Sequence, residues 1–492
     1  MAALERSSLL ISATIGSMLL QVVPGSRLMA ADGSLKENNR PMNVLFFFVD
    51  DLRPNLGCYG DKTAVTPNID KLAMSGVTFT HAYCQQAVSN PSRTSLLTGL
   101  RPDEAGVTDL ETHFRDNVPD VVTLPQLFRI NGYLTLGAGK VYHSTPFIVD
   151  DLSWTRPVPD YLPRAYVLPE NLIENAKMSS FESADVADNA YPDGKTADYA
   201  IEYLQEAGAE KKPFFIAVGF TKPHLPFCAP SKYWDLYDTN RFLINDRNRP
   251  AGSPDLAFHH WEELRGYRDI PRSGPISKEK EEILWKGYYA CISYIDAQVG
   301  KVLETLDRLG LRENTIIVLW GDHGYHLGEQ DLWCKSTNFE LDARVPLIIS
   351  SPGAKGSGHE CKAIVETLDI YPTLAEICGL IPQSKLSGVS LNPLLINPEK
   401  KWKNIAFNQF IRPYSALRGN DPTHMGYSVR TEDWRCTCWW NLETGEIVEK
   451  ELYYLKDYSI EKENLAGIKR YSKVEAELTA KLISYKNQSF RK

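Results

Sequence analysis

Val44–Asp51 reads VLFFFVDD, six consecutive apolar residues closed by two carboxylates. A run with no polar face fits a strand buried on both sides, as in a parallel sheet covered by helices. The same form recurs downstream. Tyr133–Ala138, Phe214–Phe220, Thr315–Trp320 and Leu347–Ile349 are further short apolar runs. Helical patterns separate them. Thr66 is placed to cap a helix with Pro67 in its first turn and Gly76 past its end, and Pro91–Leu100 gives another. The longest runs from about Lys278 to Leu309. It sets Ile283, Ile292, Ile295, Val299, Val302, Leu303 and Leu306 at helical spacing, a core-packing stripe. Strands alternating with helices predict an α/β fold, a mostly parallel sheet sandwiched by helices. Sites in such sheets collect at the carboxyl ends of the strands.

The chain has 492 residues, 43% of them apolar and 24% charged. That supports a large core and exceeds the usual size of one domain. Residues 40–396 carry the α/β pattern. Residues 397–492 change character, with short β-like stretches at Ile405–Phe410, Gly426–Arg430, Cys436–Trp440 and Glu451–Tyr454 and a closing helix near Val474–Tyr485. They read as a smaller C-terminal α+β subdomain. Residues 144–195 and 238–277, rich in Pro, Asp, Asn and Gly, read as long loops of the kind that rim a site. Residues 1–31 read as a signal peptide: Arg6, an apolar run from Leu9 to Val23, then Ala30 and Ala31. The expectation is a periplasmic or secreted protein with no membrane segment once mature. A net charge of −8 argues against nucleic acid and anionic membrane as partners, so an anionic substrate would need a local cluster of cations. The nine cysteines form no CxxC pair, and zinc is not indicated.

The chemistry-bearing residues stand just past the strand ends. VLFFFV runs into Asp50 and Asp51, and TIIVLW into Gly321, Asp322 and His323. Two buried strands thus deliver three carboxylates and an imidazole to one sheet edge. Carboxylates so close raise one another's pKa, a cost that a divalent cation removes, and an oxygen-rich set favours Ca²⁺ or Mg²⁺. Helix or turn capping is the alternative for the Asp50–Asp51 pair alone. Lys140 and His143 come after Tyr133–Ala138, Lys222 and His224 after Phe214–Phe220, and Lys335 lies beyond Asp322. Two Lys–His pairs past strand ends suit an anionic substrate and acid–base work. Ser89-Asn-Pro-Ser-Arg93 opens a helix, whose free N–H groups and Arg93 favour an anion there; simple capping by Ser89 is the alternative.

Ser89–Gly99, SNPSRTSLLTG, resembles the sulfatase signature C/S-x-P-S-R followed by a helix and TG. Val44–Asp51, Gly139–His143, Lys222–His224, Asp322–Gly328 (DHGYHLG), Lys335–Phe339 and Met425–Thr431 (MGYSVRT) are similar to iduronate-2-sulfatases. The resemblance covers about residues 42–460. It implies an alkaline-phosphatase-like fold and oxidation of Ser89 to formylglycine by a sulfatase-maturing radical enzyme. By position it further implies Ca²⁺ bound by Asp50, Asp51, Asp322, His323 and the modified Ser89. Arg93 and Lys140 would hold the formylglycine hydrate, with His143 as its base. His224 and Lys335 would contact the sulfate and the leaving oxygen. Cys228 and Cys334, near these motifs, depart from what the resemblance would require.

The implied reaction is hydrolysis of 2-O-sulfate esters on uronic acid residues, iduronate or unsaturated uronate. The substrates would be heparin/heparan or chondroitin/dermatan oligosaccharides. Lys222 is a candidate for the sugar carboxylate. A sulfatase for another glycan, a phosphate or phosphonate ester hydrolase of the same fold, and a noncatalytic sugar-binding protein are the competing readings.

Overall fold

The computed structural model describes residues 41–143, 149–159, 164–173, 178–238, 246–456 and 460–489. The expected signal peptide lies outside them. A seven-stranded sheet runs, edge to edge, Glu360–Glu366, Val77–Tyr83, Arg344–Ser350, Thr315–Gly321, Asn43–Val49, Phe214–Phe220, Leu134–Gly139. Every pairing in it is parallel except the two made by Arg344–Ser350.

The central strand explains the VLFFFV run. Leu45, Phe47 and Val49 face one apolar core while Val44, Phe46 and Phe48 face the other, and all six are fully buried. The long helix Lys278–Arg308, capped by Ser277 accepting from the Lys280 N–H, lays its apolar stripe on the first core. Helix Pro67–Met74 forms with Pro67 in its first turn, but Thr66 does not cap it. The Thr66 hydroxyl instead accepts from the Gly57 N–H at 2.9 Å and donates to Asp70 at 3.2 Å.

Two strands of the sheet, Val77–Tyr83 and Glu360–Glu366, escape the apolar-run reading. VTFTHAY is buried throughout although it alternates with Thr and His, and ECKAIVE sits at the sheet edge with Lys362 exposed. The stretch read as a loop from 144 to 195 is interrupted by strand Phe181–Ala184, and its end already belongs to helix Pro192–Glu210.

A second, antiparallel sheet comes next in chain order, Ala406–Arg412, His424–Arg430, Trp434–Asn441 and Ile447–Tyr454, with helix Ser472–Ser489 after it. Its inner side is charged. Glu340, at the start of the short helix Glu340–Ala343, accepts from Arg430 Nε at 3.0 Å, Arg435 Nη2 at 2.7 Å and the Tyr83 hydroxyl at 2.7 Å. Arg412, buried, donates to the carbonyls of Leu256, Ala257 and Ser336. The small sheet therefore braces both the 246–277 segment and the segment after Cys334.

Candidate active site

Four adjacent strands, from Thr315–Gly321 to the edge strand Leu134–Gly139, end side by side, and the chain stays in register just beyond them. The Asp50 N–H donates to Phe220 O at 3.1 Å, Asp322 N–H to Val49 O at 3.2 Å, and Lys140 N–H to Gly219 O at 2.8 Å. Three separate strand ends thereby deliver Asp50–Asp51, Asp322–His323 and Lys140 to one place. The approach is tight: a Cβ on Gly219 would stand 2.1 Å from the Lys140 carbonyl carbon, so only glycine lets that turn close.

Helix Ser89–Thr98 brings the other wall. Val88, not Ser89, occupies the N-cap position. The Ser89 hydroxyl instead points into the carboxylates, donating to Asp50 Oδ1 at 2.9 Å and lying 3.3 Å from His323 Nε2. Arg93, fully buried one turn on, donates to Asp322 Oδ2 at 2.9 Å and Asp50 Oδ1 at 3.2 Å. Its remaining nitrogen reaches the Lys140 and Val141 carbonyls. Lys140 Nζ pairs with Asp50 Oδ2, and Lys335 Nζ with Asp51 Oδ2 at 2.9 Å.

These contacts separate the carboxylates electrostatically. Burial alone would raise Asp50, but Lys140, His224 and Arg93 outweigh it and hold the acid well below the usual carboxylate range. Asp51 goes the other way, to about 7: burial dominates, and Asp50 and Glu263 add to it against Lys335 and His224. Burial, helped by repulsion, thus raises Asp51 while the cations beside Asp50 lower it, because the cations are unevenly shared between the two.

Ligand atoms of Asp50, Asp51, Asp322 and His323 all lie within 4.8 Å of one another. Two observations fit a cation there. Asp51 Oδ1 is buried and accepts no hydrogen bond. His323 Nδ1 lies 3.0 Å from the Gly324 carbonyl, which takes its proton and leaves the Nε2 lone pair turned to the carboxylates. Burial lowers the His323 pKa, which keeps that lone pair available. An oxygen-dominated donor set of this kind suits Ca²⁺ or Mg²⁺.

His143 is placed at the rim with its buried Nδ1 making no hydrogen bond; burial, reinforced by Lys140, pushes its pKa down to about 2. His224 Nδ1 meets the Leu225 carbonyl at 2.5 Å and Nε2 lies 3.1 Å from Glu263. Lys222 departs from the expected contact with a sugar carboxylate. Its Nζ is buried and donates to the carbonyls of His224 and Pro226 at 2.7 and 2.8 Å, so it holds the turn that presents His224 and does not face a sugar carboxylate.

All nine cysteines are free. The Cys334 thiol accepts from the Tyr325 hydroxyl at 3.2 Å, and Cys228 lies buried in the core below. Glu263 is the site residue that the motifs do not point to. It belongs to the long 238–277 segment, where no strand end or fixed spacing marks one acid among several.

The sequence model named Sulfatase matches residues 42–380, and that of the N-sulphoglucosamine sulphohydrolase C-terminal region matches residues 328–488. The chain belongs to the sulfatase family, whose members hydrolyse sulfate esters. Within it, the chain is 33% identical to mouse iduronate 2-sulfatase, over 90% of this chain and 94% of that one. It is 32% identical to the human iduronate 2-sulfatase, over 92% and 96%. A protein named Sulfatase from Formosa agariphila is 31% identical, over 81% of each. The fold matches the phosphonate monoester hydrolase of Agrobacterium radiobacter with a TM-score of 0.74 at 24% identity, covering 92% of this chain and 96% of that one. It also matches a structure described as a 2-O GAG sulfatase, with a TM-score of 0.68 at 22% identity and coverage of 92% and 93%.

Proposed function

We propose that this sulfatase removes 2-O-sulfate from uronic acid residues of glycosaminoglycan oligosaccharides, using a formylglycine made from Ser89 beside a calcium ion. The observation that carries the reading is the Ser89 hydroxyl held 2.9 Å from Asp50 and 3.3 Å from His323, inside the buried carboxylate–imidazole cluster that joins two strand ends. The 2-O-uronate assignment draws on relatives named iduronate 2-sulfatase, 32–33% identical over nearly their whole length.

Asp50, Asp51, Asp322 and His323 would hold the calcium, whose charge would polarise sulfuryl oxygens and acidify a neighbouring hydroxyl. The modified side chain would supply a hydrated carbonyl, one oxygen to take the sulfuryl group and a second hydroxyl to let it go. Arg93 is locked between Asp50 and Asp322 and keeps both carboxylates aimed at the ion site. Lys140 neutralises Asp50 from the opposite side and adds positive charge where sulfuryl oxygens gather. His143 presents an unused Nδ1 that would take a proton from the second hydroxyl once the charge of a bound sulfate ester raises its pKa against burial and Lys140. Lys335 and His224 form the outer wall, where they meet the sulfate ester and the departing alcohol oxygen.

A radical maturase acting before secretion would install the aldehyde, and residues 1–31 would direct export to the periplasm or beyond. Residues 40–396 would form the catalytic domain and 397–492 a supporting subdomain. The test is mass spectrometry of the peptide holding Ser89 from enzyme produced with its maturase. Loss of two hydrogens is expected, and an unmodified serine in active enzyme refutes the mechanism. Unsaturated disaccharides sulfated at one position each then fix specificity. Release from the uronate 2-O position is expected, and exclusive release from glucosamine 6-O or from an aryl phosphate refutes the assignment.

A further inference from the structure

We infer that Glu263 is a resident anion in the substrate site, which the incoming sulfate ester must displace from Lys335 and His224. The inference rests on the sulfatase reading above and adds a residue that no motif assigns.

Glu263 stands on the 246–277 side of the site, on none of the strand ends that carry the metal cluster. Its carboxylate lies 3.0 and 2.9 Å from Lys335 Nζ through its two oxygens, and 3.1 Å from His224 Nε2. Those are the two groups on the outer wall that would receive a sulfate ester. With Glu263 in place both are spent: Lys335 is shared between Asp51 and Glu263, and both ring nitrogens of His224 face oxygens. A sulfate ester likewise presents oxygens to cationic donors, so it would take the place of the Glu263 carboxylate at Lys335 and His224. The two anions cannot share these donors. The Lys335 and Glu263 side chains are only 5% and 12% exposed, so repulsion between Glu263 and a bound sulfate would be weakly screened.

The arrangement has a use. Lys335 is enclosed, and a buried ammonium needs anions beside it. Asp51 supplies one and Glu263 a second until substrate arrives. The exchange of one anion for another keeps the ammonium paired throughout, and the cost appears as weaker apparent substrate binding.

The experiment compares wild type with Glu263→Gln and Glu263→Ala, all matured and metal-loaded. Measurements are kcat and KM on a sulfated disaccharide, and the inhibition constant of inorganic sulfate. Removing the charge is expected to lower both KM and the sulfate inhibition constant by about tenfold or more, since a like charge set directly beside a bound anion costs at least that much. The two variants should agree, because both remove the charge although only Gln keeps the size. Raised KM with lowered kcat in both would show that Glu263 braces Lys335 and His224, and would overturn the inference. Unchanged constants would overturn it too. A wild type without sulfate-ester hydrolysis would defeat the parent reading instead. Melting temperatures of the three proteins separate binding effects from misfolding.

Discussion

Glu340→Gln tests whether the small sheet holds the catalytic segment by charge. The wild-type carboxylate is 2% exposed and accepts from Arg430, Arg435 and Tyr83. Burial alone would raise its pKa, but the two guanidiniums outweigh burial and keep it ionised across the accessible pH range. The amide preserves volume but removes the charge and turns an NH₂ toward guanidinium donors. Arg435 keeps a second anion, Glu461 at 3.1 Å, whereas Arg430 is left with the carbonyls of Thr431 and Glu432. One guanidinium thus stays buried without an anion, which costs about 3–5 kcal/mol. The unit 41–492 unfolds with an entropy of about 1 kcal/mol/K at the usual ~2.1 cal/mol/K per residue. The expected fall in Tm is therefore about 3–5 °C, read by calorimetry at one fixed scan rate. A fall below about 1 °C would refute the claim that this network holds the two sheets together.

Calcium removal by EGTA should lower Tm, since an ion bound only by the folded state at a hundredfold excess over its Kd contributes about 2.7 kcal/mol, or about 3 °C here. No change in Tm on adding calcium back would refute ion binding by Asp50, Asp51, Asp322 and His323. Lys140→Met should cut kcat by about 10²-fold or more while the protein stays folded, because it deletes the ammonium beside Asp50 that the proposed mechanism uses to stabilise sulfuryl oxygens; activity within a few-fold of wild type would refute that role. Glu366 supplies a pH test. Burial would raise it, but Arg101 and Lys403 hold it at about 2 against an ordinary 4.5. A depressed acid stabilises the fold above its unfolded value and loses that contribution as pH falls. The Tm deficit of Glu366→Gln relative to wild type should therefore be full above about pH 4.5 and shrink toward pH 2. A deficit constant over that range would refute the pairing.

Much of the site is legible in the chain because strands are local. VLFFFV must be buried on both faces, its end must emerge at a sheet edge, and Asp50–Asp51 must emerge with it. The same holds for TIIVLW and Asp322–His323, and the spacing of SNPSR sets Ser89 and Arg93 one turn apart on a helix. Which strands lie side by side is not local. Pairing of Asn43–Val49 with both Phe214–Phe220 and Thr315–Gly321 brings together residues up to 272 positions apart, and only that pairing turns separate carboxylates into one cluster. Lys222 and Glu263 show the limit most clearly. Both are charged residues in plausible segments, and side-chain direction alone sends one into its own turn and the other onto Lys335 and His224. Val77–Tyr83 became a buried strand against its mixed composition because neighbours on both sides satisfied its backbone. Sequence order determined which groups each element carries past its end; burial and packing among distant elements decided which of those groups meet.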